Sequence, residues 1–111
     1  MLKLQYREMV RYIRKNKLTL QFGNENCAVG IFCASHNCYW HGMFANSEFV
    51  KNTGVSVQNL KQMEMGFEGW NMGFYTDRRL IRLNANPKNR YYKIGKKLRE
   101  NMDKINRGEN V

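Results

Sequence analysis

Tyr6, Met9, Val10 and Ile13 recur at three- and four-residue steps while Arg7, Arg11, Arg14 and Lys15 fall on the opposite side. That period predicts an amphipathic helix over residues 3–16. Leu18, Leu20 and Phe22 then alternate as a strand would, and Cys27 to Cys38 is a nearly uncharged run that suits either a buried helix or buried strands. Gly23-Asn24 and His36-Asn37 carry turn chemistry, which allows a small meander in this stretch.

Asn46-Ser47-Glu48 offers a helix start before Phe49 and Val50, and Asn52-Thr53-Gly54 stops that helix within a few residues. Gly54 supplies the positive φ of a tight turn, and Ser56 caps a second helix carrying Val57, Leu60, Met63, Glu64 and Phe67, expected to end near Met65 because Gly66 and Gly69 follow. Trp70–Tyr75, Arg79–Asn84 and Arg90–Ile94 read as strands. The last two are joined by Ala85-Asn86-Pro87-Lys88-Asn89, a five-residue connection suited to a hairpin. Across it Ile81 and Leu83 are expected to match Tyr92 and Ile94. A closing helix over Lys96–Asn106 places Leu98, Met102 and Ile105 on one face. The pattern predicts a single α+β domain over residues 1–111, with a small antiparallel sheet and flanking N- and C-terminal helices.

Charge changes the picture most. Nineteen Lys and Arg against nine Asp and Glu give a net +10. Residues 1–17 (+5) and 78–111 (+8) carry more than the whole excess, while residues 18–50 contain no Lys or Arg and residues 51–77 sum to −1. Two basic ends joined by a non-basic middle can fold into one electropositive surface, whose natural partner is a polyanion; a solvated surface that keeps the protein soluble is the alternative. No apolar run reaches the roughly 18–20 residues of a membrane span, and the first residues lack a signal-peptide pattern, so an intracellular, cytoplasmic setting without membrane contact is expected. Three cysteines are too few, and odd in number, for a disulfide framework.

The segment from Phe49 through Gly54 and Ser56 to Leu60, followed by the basic stretch Arg82 to Ile94 with Pro87, Lys88 and Arg90, resembles a winged helix-turn-helix domain, and the latter part resembles the wing of the multiple-antibiotic-resistance-type regulators. The resemblance covers roughly residues 44–105, with the helix-turn-helix at about 46–66 and the wing at about 79–94. It implies a small transcriptional regulator that binds double-stranded DNA, without catalysis or a cofactor. It also implies a homodimer whose terminal helices form the interface; the faces at Met9/Ile13 and Leu98/Met102/Ile105 suit that role, or else packing inside one subunit.

The residues support that reading on their own chemistry. A helix fits the major groove, and Ser56, Gln58, Asn59, Lys61 and Gln62 near its start could meet base edges, although the same residues would also serve as a plain solvated face. Lys88 and Arg90 beside Pro87 suit a minor groove, or a charged edge that blocks strand aggregation. Arg78, Arg79, Arg82, Lys93, Lys96, Lys97 and Arg99 suit phosphates, and Arg7, Arg11, Arg14 and Lys15 could extend that footprint. Cys33, His36, Cys38 and His41 are zinc-ligand types, but their spacing is more compressed than that of two-pair zinc motifs. Two rivals stand beside DNA binding: a protein-binding inhibitor or adaptor of the kind small mobile-element genes encode, and an RNA or single-strand binder using Trp70, Phe74, Tyr75, Tyr91 and Tyr92 among basic residues.

Overall fold

The computed structural model describes residues 2–22, 26–37, 51–69 and 84–111. These residues form helices α1 (Leu2–Lys15), α2 (Ala28–Ser35), α3 (Val57–Glu68), α4 (Arg90–Glu100) and α5 (Met102–Asn106), with residues 51–53 also helical. No strand occurs among the described residues, which corrects the expected α+β class with its antiparallel sheet. The expected strand at 70–75, the expected strand at 79–84 apart from Asn84, which lies in a turn, and the expected helix start at Asn46 lie outside the described residues.

α1 forms as its stripe predicts: Tyr6, Met9, Val10 and Ile13 are all buried, and Arg14 and Lys15 sit at its C-terminal end, where cations are favoured. Lys17 adopts a left-handed φ of 54°, letting Leu18 N–H bond Ile13 O at 2.9 Å and Lys17 N–H bond Arg14 O at 3.2 Å, a Schellman stop. The alternation at 18–22 does not form a strand. Leu20 is instead docked on α5, its N–H donating to Asn106 Oδ1 at 2.8 Å and its carbonyl accepting from Asn106 Nδ2 at 2.9 Å. The ambiguous apolar run resolves as α2, which opens with Cys27 Sγ accepting from Gly30 N–H and buries every residue from Ala28 to Cys33. His36 and Asn37 form the turn after it.

The core centres on the crossing of α3 and α4, the most extensive helix pair; α1 packs on α4 and α2, and α2 on α3. Ser56 Oγ accepts from Asn59 N–H and starts α3 as expected, after Gly54 at φ 69°. α3 then runs through Gly66 and stops only at Gly69. The expected strand at 90–94 is the first half of α4: Asn89 Oδ1 accepts from the N–H groups of Tyr91 and Tyr92, supplying an N-cap, and Ile94 and Leu98 bury one face. The helix continues through Gly95 and breaks at Asn101. Both glycines lie where one helix backbone meets the other, and neither has room for a β-carbon. Gly66 was expected to end α3; at this close crossing it lets the helix continue.

Met9, Ile13, Leu98 and Ile105 all belong to the core of this one chain. The faces suited to a dimer are therefore used in packing the terminal helices within the subunit.

Candidate nucleic-acid interface

The polar residues at the start of α3 are largely engaged within the fold. Ser56 caps the helix. Asn59 Oδ1 accepts from Asn89 Nδ2 at 3.1 Å, tying the first turn of α3 to the first turn of α4. Gln62 is buried, its Nε2 donating to Asn84 O at 2.7 Å and its Oε1 accepting from Asn86 N–H at 2.9 Å, so its amide holds the loop that leads into α4. Gln58 and Lys61 remain exposed. This helix start thus presents two outward polar side chains rather than a row of base readers.

The loop and α4 keep their cations at the surface. Lys88, Arg90, Lys93, Lys96 and Lys97 are exposed, and Arg99 is half-buried. Lys96 meets Glu100 at 3.9 Å, with both side chains more than half exposed; such a pair adds little. Arg90 donates through Nε and Nη2 to Gln5 Oε1 of α1, at 3.1 and 2.7 Å. Lys97 Nζ stands 4.4 Å from the ring centre of Tyr6, a cation–π contact that joins α4 to α1. Arg78, Arg79 and Arg82 lie outside the described residues, as do Trp70, Phe74 and Tyr75.

α1 contributes more than its sequence weight suggested. Its solvent side is a ridge with a groove on each flank, and Arg11 and Lys15 line both. The larger groove holds about 590 Å³; Tyr6 and Val10 line it together with Arg7, Arg11, Arg14 and Lys15 from α1 and with Asn110 and Val111 from the end of the described chain. No Asp or Glu lines it. Arg14 donates to the Glu109 backbone carbonyl, which fixes one arginine at the groove wall without neutralising it. Burial pushes the Tyr6 phenol above its ordinary pKa, with the Asn101 side chain and the Arg14 charge pulling the other way. Tyr6, though buried, backs the groove and lies under Lys97, so one cation of α4 packs against the residue that backs the α1 groove. The helical spacing of the α1 arginines was visible in the sequence; the side chains that join α1 to α4, Gln5 and Tyr6, gave no such signal.

Of the zinc-ligand types, Cys33 is fully buried and His36 is half-buried, its Nδ1 engaged with Phe32 O, while Cys38 and His41 lie outside the described residues. Among the described residues no group of three His, Cys, Asp or Glu side chains is placed to hold a metal, and no helix is long and apolar enough to cross a membrane. No family model, curated protein or solved structure matches the chain.

Proposed function

We propose that the protein binds nucleic acid, with duplex DNA as its partner, through phosphate contacts from the basic ridge of α1 and the adjoining cations of α4. The observation that carries this reading is the groove walled by Arg7, Arg11, Arg14 and Lys15, which no Asp or Glu side chain lines and whose wall residue Tyr6 also meets Lys97. Arg7 to Arg14 spans seven residues, about 10 Å of helix axis at a 1.5 Å rise. A duplex presents one negative charge per roughly 1.7 Å of its axis, so several phosphates fall within reach of that row.

Two features favour a duplex over a single strand. A single-strand site stacks bases on exposed rings. Tyr91 and Tyr92 are half-buried on α4, not displayed on a sheet. A helix with a row of exposed cations along its solvent side also suits the phosphates that border a duplex groove. With the amides of Asn59 and Gln62 engaged internally, the interface is one of affinity with modest base discrimination, which suits a small regulator acting by occupancy of DNA.

Fluorescence anisotropy with labelled duplex, single strand and RNA at several salt concentrations tests the reading. The expected result is duplex affinity that falls steeply with salt and exceeds that for either single strand. Absence of duplex binding at about 100 mM salt and protein concentrations up to about 100 μM, the weak end of non-specific dissociation constants at physiological salt, would overturn it.

A further inference from the structure

We propose that the smaller groove, between α1 and the end of α2, is a binding site for a hydroxylated phosphate monoester of sugar-phosphate size, and that its occupancy competes with nucleic acid. The competitive part rests on the function proposed above, because Arg11 and Lys15 line both grooves. The binding part stands on the cavity alone.

The cavity holds about 280 Å³, just under the roughly 300–1,000 Å³ of drug-sized sites, which limits its ligand to a small metabolite. The half-buried Tyr12 ring provides an apolar surface against which the carbon face of a compact body can rest, with the buried Phe32 behind it. Arg11 and Lys15 supply two permanent cations, and His36 adds a third polar group.

The imidazole of His36 is oriented. Its Nδ1 lies 2.8 Å from Phe32 O, and its ring is 4.5 Å from the Phe32 ring. A carbonyl can only accept, so Nδ1 carries a proton and Nε2 is the nitrogen left for a ligand. Ser35 Oγ donates to the same carbonyl at 2.7 Å, which further fixes the turn that carries the ring. With the proton on Nδ1, Nε2 accepts from a hydroxyl of the ligand body, while the Arg11 guanidinium and the Lys15 ammonium make the charge-assisted bonds suited to a dianionic head group. Glu8 lines the same cavity. A carboxylate there disfavours a polyanion entering fully and accepts hydrogen bonds from hydroxyls on the ligand body, so the site selects an anionic head on a neutral, donor-bearing body.

Calorimetry and NMR on the whole chain, with ribose 5-phosphate as probe and ribose and inorganic phosphate as controls at matched ionic strength, test the proposal. Ribose 5-phosphate is expected to bind saturably at one per chain and more tightly than either control. His36→Ala and Glu8→Gln should each weaken it by about tenfold, near the upper end for losing one hydrogen bond. Glu8 is exposed on α1, so that variant reads the site without disturbing the core. Saturating ribose 5-phosphate should lower duplex affinity several-fold in wild type and in Arg7→Gln, whose side chain lines only the larger groove. Binding no tighter than that of inorganic phosphate, or unchanged by both variants, overturns the site; binding without competition overturns the coupling. Loss of duplex binding altogether would sink the nucleic-acid reading and leave the ribose 5-phosphate titration to decide the site by itself.

Discussion

Gly66 and Gly95 lock the central crossing reciprocally, each seated on the residue three positions before the other. A β-carbon on Gly66 would lie 2.1 Å from Tyr92 O, and one on Gly95 would lie 2.2 Å from Met63 O. Alanine gains about 1 kcal/mol over glycine in helix propensity. Here the obstruction is helix backbone, which cannot rotate away, and overpacking of this kind costs about 1–3 kcal/mol or more. The clash outweighs the propensity. Gly66→Ala and Gly95→Ala are each expected to lower stability by about 2 kcal/mol, and the double variant by less than the sum, because one separation of the helices relieves both contacts. Urea unfolding checks this; a Gly66→Ala protein as stable as wild type would mean that the helices do not approach as described.

The Gln62 amide makes a different prediction from a base-reading glutamine. Gln62→Ala removes the partners of Asn84 O and Asn86 N–H and is expected to cost about 1–3 kcal/mol, the scale for leaving part-buried polar groups unsatisfied. Amide exchange at Asn86 should accelerate. Duplex affinity of the folded protein should stay within twofold of wild type, and a larger loss with unchanged stability would place Gln62 at the DNA after all.

Asn89 separates capping from its link to Asn59. Asn89→Ala loses the N-cap of α4, worth about 1 kcal/mol, and the bond to Asn59 as well. Asn89→Asp keeps a good capping oxygen and adds negative charge at a helix N-terminus, but cannot donate to Asn59 Oδ1. Thermal unfolding should therefore rank wild type and Asp above Ala. Equal midpoints for Ala and wild type would show that the cap contributes nothing.

These residues also mark what could be read from the chain. The stripe of Tyr6, Met9, Val10 and Ile13 gave α1 to within a residue at each end, and Gly54-Val55-Ser56 gave the turn and start of α3, because both signals are local. The errors in α3 and α4 have one origin. Gly66 reads locally as a helix end, which shortens α3, and the turn chemistry of residues 85–89 reads locally as a hairpin, which makes Arg90–Ile94 a strand; Gly66 and Gly95 instead answer a requirement set by a helix about thirty residues away. Asn59 and Gln62 misled similarly: on a helix face they read as solvent-facing polar residues, and only the position of the 84–89 loop shows that their partners are internal. For the site, the charge at both ends of the chain was plain, but the sequence weighted α3 and the wing over α1. That Arg11 stands between two grooves depends on how α2 and the last residues lie against α1, which no local pattern encodes.

Salt dependence measures how many phosphates the α1 ridge neutralises. Each contact contributes about 0.9 to the slope of log K against log salt on duplex DNA. Arg7→Gln with Arg11→Gln is expected to reduce the slope by about two and weaken binding at 100 mM salt more than at 300 mM, with the same effect on unrelated duplex sequences. Both side chains are exposed, so stability should change by no more than about 0.5 kcal/mol. A slope identical to that of wild type would remove α1 from the interface.

Cys27 sets a limit on alkaline stability. Burial pushes its thiol up from 9.0 to about 12, with the charges of Glu68 and Glu64 adding to the rise and the Gly30 N–H opposing it. Below pH 9 the thiol is protonated whether the chain is folded or not, and its contribution is fully present. Between pH 9 and 12 the unfolded chain releases the proton while the fold retains it, so the unfolded state binds fewer protons and stability falls as pH rises, by roughly 1.4 kcal/mol per unit at most. Cys27→Ser replaces the thiol with a hydroxyl that can still accept from Gly30 N–H, in the manner of an ordinary serine N-cap, and does not titrate in this range. The variant is expected to unfold at nearly the same urea concentration as wild type at pH 7 and at a higher one at pH 11. Tyr6, whose phenol is also raised, is common to both proteins, so the difference between their pH profiles reports Cys27. Parallel profiles up to pH 11 would mean that the thiol is not held neutral by the start of α2.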